Sequence, residues 1–192
     1  MAPFKLVLTG GPCAGKTTLA RVLAARGGVL VAEAAIEVIT DLCREMGTAA
    51  QAEWRARHPV EFQRRIAERQ REAERAALAR DPGWIVCDRG LPDGLAYLRR
   101  AGVEAPPDLA SWLHQARYDL VLVLDTLSAF EPRPETGRID DVADSHALRD
   151  ALTRAYRELG HAPVFIPAGT LDERIAQLET LLPVRFGLEI AR

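Results

Sequence analysis

Apolar residues along this chain gather in five short runs, separated by longer amphipathic stretches. The runs are FKLVLT (4–9), VLVAE (29–33), WIVCD (84–88), LVLVLD (120–125) and APVFIP (162–167). They are nearly continuous rather than alternating, which is the pattern of strands buried on both faces. Residues 16–26 carry Leu19, Val22 and Leu23 at helical spacing and stop at Gly27-Gly28. Residues 59 to about 80 set Phe62, Ile66, Ala73 and Ala77 on one face and Arg/Glu pairs on the others. Residues 145–159 and 171–182 read the same way, and the latter opens with Thr170 and Glu173 in capping-box spacing. A further helix begins near Ala34. Strands alternating with helices predict an α/β fold, a parallel sheet covered on both faces. Only EPRPETGRIDD (131–141) breaks the pattern, with two prolines, a glycine and mixed charge; it predicts a loop after the fourth strand.

Composition narrows the function classes. A length of 192 residues with 48% apolar content suits one domain over 1–192. The 25 basic and 27 acidic residues give a net charge of −2 without a long single-sign block, so no nucleic-acid partner is expected. No run approaches the ~20 apolar residues that span a bilayer, so no membrane insertion is expected. Cys13, Cys43 and Cys87 lack CxxC spacing and the four histidines form no ligand pattern, which suits a reducing, cytoplasmic setting.

The chemistry is carried by LTGGPCAGKTTLA (8–20), where Gly10, Gly15, Lys16 and Thr17 complete GxxxxGK[ST] between a strand and a helix. The whole segment Gly10, Gly11, Pro12, Cys13, Ala14, Gly15, Lys16, Thr17 and Thr18 is the expected nucleotide cradle. Its backbone N–H groups and the helix N-terminus would face phosphates, Lys16 would bridge the β- and γ-phosphates, and Thr17 would offer its hydroxyl to Mg²⁺. In an open α/β sheet ligands collect at the carboxyl ends of strands. There Asp88 reads as a metal-holding acid, or as a cap or partner of Arg89. Glu33 reads as a general base for an acceptor hydroxyl, or as a charge favourable to the helix that follows. Arg89 reads as a bidentate phosphate or acceptor ligand, or as half of an ion pair. Asp125 reads as structural. Arg138, with Arg133 second, is the expected loop cation over the transferring phosphate.

KLVLTGGPCAGKTTL, VAEAAIEVI, CDRGLPDGLAYL, RYDLVLVLD and ELGHAPVFIPA together resemble the AAA-type ATP-binding domain shared by the ribosylnicotinamide kinase part of bacterial NAD-synthesis regulators and a eukaryotic GTP-binding trafficking protein. The resemblance spans residues 4 to about 182. It implies a P-loop NTPase three-layer α/β/α sandwich with a five-stranded parallel sheet of order 2-3-1-4-5, as in nucleoside and small-molecule kinases. It also implies Lys16 and Thr17 at triphosphate and metal, Asp88 and Arg89 facing metal and acceptor, Glu33 near the acceptor, and Arg138 on a lid at about 130–143. IPAGT, after the fifth strand, would lie against the base. Family members differ in the segment between the second and third strands, here about 47–81, which forms one acceptor wall; Trp54, Phe62, Arg65 and Gln70 are its candidates.

The expected activity is an ATP- and Mg²⁺-dependent kinase moving the γ-phosphoryl group to a hydroxyl of a small, nucleoside-like acceptor. The alternative is an ATP- or GTP-binding switch or NTPase that signals to a protein or lipid partner. The NKxD sequence usual in switch GTPases is absent, which favours ATP over GTP only weakly, because this fold also binds bases through backbone contacts.

Overall fold

The computed structural model describes residues 3–127 and 142–187. Five parallel strands form one sheet in the order β2-β3-β1-β4-β5, as the resemblance implied. They are β1 (Phe4–Gly10), β2 (Val29–Val31), β3 (Trp84–Asp88), β4 (Leu120–Leu124) and β5 (Val164–Ile166). Side chains alternate across the sheet and fill two separate cores. Val7, Ile85, Cys87 and Val121 point to one face; Leu6, Leu8, Val86 and Leu122 point to the other. This two-sided burial is why the runs read as continuous apolar strings.

The first face is covered by α4 (Pro59–Leu78), α5 (Asp93–Arg100), α6 (Pro107–Gln115) and α7 (Val142–Glu158). The second is covered by α1 (Lys16–Ala25) and α8 (Leu171–Phe186), through Leu19, Leu23, Leu178 and Leu182. Two further helices, α2 (Ala34–Met46) and α3 (Thr48–Arg57), lie between β2 and α4. The chain thus leaves β1 toward one face while its neighbours β3 and β4 leave toward the other, opening a crevice at their carboxyl ends.

Four of the five strands end differently from the sequence reading, β1 at Gly10 and β4 at Leu124 among them. β2 stops at Val31, because Glu33 is already the N-cap of α2. β5 stops at Ile166, before Pro167, which lacks the N–H a ladder needs. Helices α3, α5 and α6 were not expected from periodicity. The capping box of α8 is present, with the Glu173 N–H donating to Thr170 Oγ1 at 3.3 Å and the Thr170 N–H to Glu173 Oε2 at 2.8 Å.

Candidate active site

The cradle forms because β1 ends beside β3 and β4 in register, Leu8 opposite Asp88 and Gly10 opposite Leu124. The loop then turns away into α1, whose N-cap Gly15 sits in the left-handed region at φ 77, a conformation that costs a side chain dearly. Gly11 is required by space: a Cβ there would lie 2.2 Å from Ser145 Oγ at the head of α7. Ser145 itself donates to the Pro12 carbonyl at 3.2 Å and shares a 2.6 Å hydrogen bond with Thr126 Oγ1. Lys16 is 4% exposed and its Nζ donates to the Gly11 carbonyl at 2.7 Å, so the ammonium lies folded across its own loop.

From behind, Arg174 of α8 binds the cradle. It donates to the carbonyls of Ala14, Asp125 (2.9 Å) and Pro167 (3.1 Å), joining the P-loop to the ends of β4 and β5. Burial pulls its guanidinium below the ordinary value, with Asp125 acting weakly the other way. Sequence reasoning missed this residue, since no motif marks it. Asp125 itself pairs with Arg149 at 2.6 Å, in keeping with the structural reading.

At the end of β3, Asp88 Oδ2 accepts from Thr17 Oγ1 at 2.6 Å, bringing together the two residues assigned to metal. Asp88 Oδ1 is buried and has no partner among the described residues. Burial raises the Asp88 carboxyl above its usual range; the Thr17 hydrogen bond pulls back and nearby Glu33 adds to the rise. An orphaned carboxylate oxygen beside a cradle hydroxyl fits an octahedral Mg²⁺, which takes few protein ligands and completes its shell with phosphates and water. Among the described residues no cluster of three acids, cysteines or histidines offers a different metal site.

Arg89 comes next, a bulky residue held at φ 77, in the range where strain of about 1–3 kcal/mol is expected. Its backbone is locked by the N–H donating to the Leu8 carbonyl at 2.9 Å and by Gln70 Nε2 donating to its carbonyl at 3.3 Å. The turn aims the guanidinium between two buried carboxylates. Nε donates to Glu33 Oε1 at 3.1 Å and Nη1 to Asp93 Oδ2 at 2.7 Å. Burial would lower its pKa, but Tyr97, Glu33 and Asp93 outweigh it and hold it well above the ordinary value. Asp93 is a hub, also accepting from Thr9 Oγ1 at 3.0 Å and from the Tyr156 hydroxyl at 2.8 Å. Sequence reasoning missed it, although the Arg89–Asp93 spacing inside DRGLPDG was the available signal. Glu33 serves as N-cap by position alone: its carboxylate makes no cap hydrogen bond and faces Arg89.

Beside this cluster lies a cavity of about 230 Å³. One water needs only about 10–15 Å³ on that measure, so the space admits a small organic molecule. Pro12 of the cradle, Glu33, Arg89 and Asp93 line it with Ile39 and Ile66, and residues of α3 and α4 form one wall. Phe62 and Gln70 are on that wall. Trp54 and Arg65 are not; they stack on each other at 5.0 Å, and Arg65 also pairs with Glu45 at 3.4 Å. The loop cations Arg138 and Arg133 lie outside the described residues.

The AAA domain family matches residues 5–174, nearly the whole of the described fold. The chain belongs to that family. Its fold is also similar to several solved structures. One is a NadR protein in complex with NAD and AMP-PNP, with a TM-score of 0.67 and 16% identity, covering 100% of this chain and 51% of that one. Another is NadR in complex with NR, with a TM-score of 0.64, 16% identity, and coverage of 100% and 52%. A third is thymidylate kinase from Ehrlichia chaffeensis, with a TM-score of 0.60, 14% identity, and coverage of 95% and 100%. The AAA-domain chain spans about half the length of the NadR chains. At such identities the likeness speaks for the fold alone. No curated protein matches in sequence. The chain is therefore a P-loop nucleotide-binding domain with an architecture similar to those of the NadR and thymidylate kinase structures. No described helix is long and apolar enough to cross a membrane.

Proposed function

We propose that this AAA domain is an ATP- and Mg²⁺-dependent kinase that phosphorylates a hydroxyl of a small, nucleoside-like acceptor. The observation that carries the reading is the cavity lined by Pro12 of the cradle, Glu33 after β2, Arg89 after β3 and Asp93 at the start of α5. A switch or simple NTPase needs the cradle only; a walled pocket against it is room for a second substrate.

In this reading the cradle N–H groups and the α1 terminus orient the triphosphate, and Lys16 leaves the Gly11 carbonyl for the β- and γ-phosphates. Thr17 and Asp88 would hold Mg²⁺, which when bound shields the charge on the phosphates. Asp93 is occupied by three donor side chains and does not line up for proton removal. Glu33 is the better base: it faces the cavity, and Arg89 fixes its carboxylate in place. The apolar wall of Phe62 and Ile66 keeps water from competing with the acceptor.

The test incubates the protein with Mg²⁺ and ATP or GTP and a panel of nucleosides, including nicotinamide riboside, and reads products by mass spectrometry beside Lys16→Ala. Phosphorylated acceptor that disappears with Lys16→Ala supports the kinase. Tight nucleotide binding without transfer supports the switch, and fast turnover without acceptor supports the NTPase.

A further inference from the structure

The cavity carries an uneven charge. At its floor two buried carboxylates, Glu33 and Asp93, flank the single guanidinium of Arg89, all three at most 6% exposed. That end is net negative and its cation is already spent on internal partners. On the α3 wall the opposite holds. Arg55 lines the cavity, its Nε is buried without a hydrogen-bond partner, and among the described residues no carboxylate pairs with it. Its contact is with an aromatic face, its Cζ lying 5.3 Å from the Phe62 ring centre.

Neighbouring arginines are different. Arg57 pairs with Glu53, Arg64 with Asp108, Arg69 with Glu37 and Asp41, and Arg100, at the cavity edge, with Asp144. A partly desolvated cation without a counter-ion is costly, so such groups are paired in ordinary structural roles. Burial holds the Arg55 guanidinium below its ordinary value, opposed only by the Cys43 thiol. Nothing in the packing of α3 explains an arginine here: of its ten residues only Gln51 is buried.

We propose that the acceptor carries an oxyanion, a carboxylate or phosphate, that seats on Arg55, while its reacting hydroxyl lies on the floor beside Glu33. The inference rests on the kinase reading for the hydroxyl and adds the charged group. An apolar or aromatic body would bridge the two ends along Phe62 and Ile66. The reverse orientation is disfavoured, because an oxyanion on the floor would face Glu33 and Asp93. In the step itself the acceptor oxygen bonds to the γ-phosphorus and the bond from γ-phosphorus to the β,γ-bridging oxygen breaks. ADP leaves with that electron pair, and the hydroxyl proton goes to Glu33.

The experiment offers Mg²⁺·ATP with matched acceptors that differ in one charged group: nicotinic acid riboside against nicotinamide riboside, pantothenate against pantothenyl alcohol, and thymidylate against thymidine. The first two pairs probe a carboxylate and the third a phosphate. The expected result is at least tenfold higher kcat/KM for an anionic member over its neutral twin, lost in Arg55→Gln and largely kept in Arg55→Lys; a charge-assisted hydrogen bond of about 1.5–3 kcal/mol corresponds to roughly ten- to a hundredfold. Equal use of neutral twins, unchanged by Arg55→Gln, overturns the oxyanion and leaves the kinase standing.

Transfer to no member counts against the kinase reading instead, and thermal shifts with the same compounds then decide the oxyanion. Arg55-dependent stabilisation by an anionic twin supports it, and equal or absent stabilisation overturns it. A second readout needs no acceptor. Arg55→Met should raise the melting temperature of the ligand-free protein by about 2 °C, since it removes a desolvated charge. A lower melting temperature would give Arg55 a structural role and overturn the proposal.

Discussion

Replacing Asp93 by Asn tests whether the Arg89 cluster is the strut of the site. The exchange keeps shape and removes one charge from a side chain that is 4% exposed. Arg89 loses the 2.7 Å charge-assisted bond from Nη1, and Thr9 and Tyr156 then donate to an amide oxygen instead of a carboxylate. Breaking a buried ion pair by removing one partner costs about 3–5 kcal/mol. Glu33 still faces Arg89, so the lower end applies, roughly 3 kcal/mol. For a chain of this length one kcal/mol moves the melting temperature by about 2–4 °C, so the expected drop is roughly 6–12 °C by far-UV circular dichroism. Tyr156→Phe removes one hydrogen bond to the same carboxylate and should cost about 1 kcal/mol. The double variant Arg89→Gln/Asp93→Asn should fall short of the sum of the singles, because the two residues share one interaction. An Asp93→Asn protein that melts within about 2 °C of the parent would refute the assignment of Asp93 as hub.

Three further outcomes follow from the cradle. Nucleotide at about a hundred times its Kd should stabilise the protein by about 2.7 kcal/mol, and Lys16→Ala should abolish that shift in differential scanning fluorimetry. Gly11→Ala should destabilise the protein by about 1–3 kcal/mol and weaken nucleotide binding, because its Cβ meets Ser145 Oγ; unchanged melting would contradict the close approach. Asp88 has a raised carboxyl pKa in the fold, so the folded state favours its protonated form. Its ionisation therefore lowers stability as pH rises through the folded pKa, and that loss is absent below the ordinary carboxylate range. Asp88→Asn should accordingly melt higher than the parent at neutral pH without Mg²⁺, and the gap should close on acidification; a gap constant with pH would show another cause.

Much of the fold was legible because the central strands are buried on both sides, so that an apolar string has little other use. The helices that escaped notice hid for identifiable reasons. Helix α3 buries one polar residue and so has no apolar stripe, and α5 opens with Asp93-Gly94, a pair that reads as a turn. The site divides similarly. Cradle residues, Thr17 among them, are contiguous, and Asp88 was recognisable from its place at the end of a strand. Asp93 meets Thr9 and Tyr156 across 84 and 63 positions, contacts made only by the sheet order. Such pairs carry no local spacing for a sequence pattern to reveal.

The three carbonyls gathered by Arg174 bear on how the protein is made. That arginine grips a cradle residue 160 positions earlier in the chain. A nascent chain that has finished β1 and α1 holds every residue of the nucleotide motif, yet lacks the clamp that sets the loop against β4 and β5. Contacts that close so long a loop form late, after the strands between them have paired. The cradle thus takes the geometry described here only once α8 has docked.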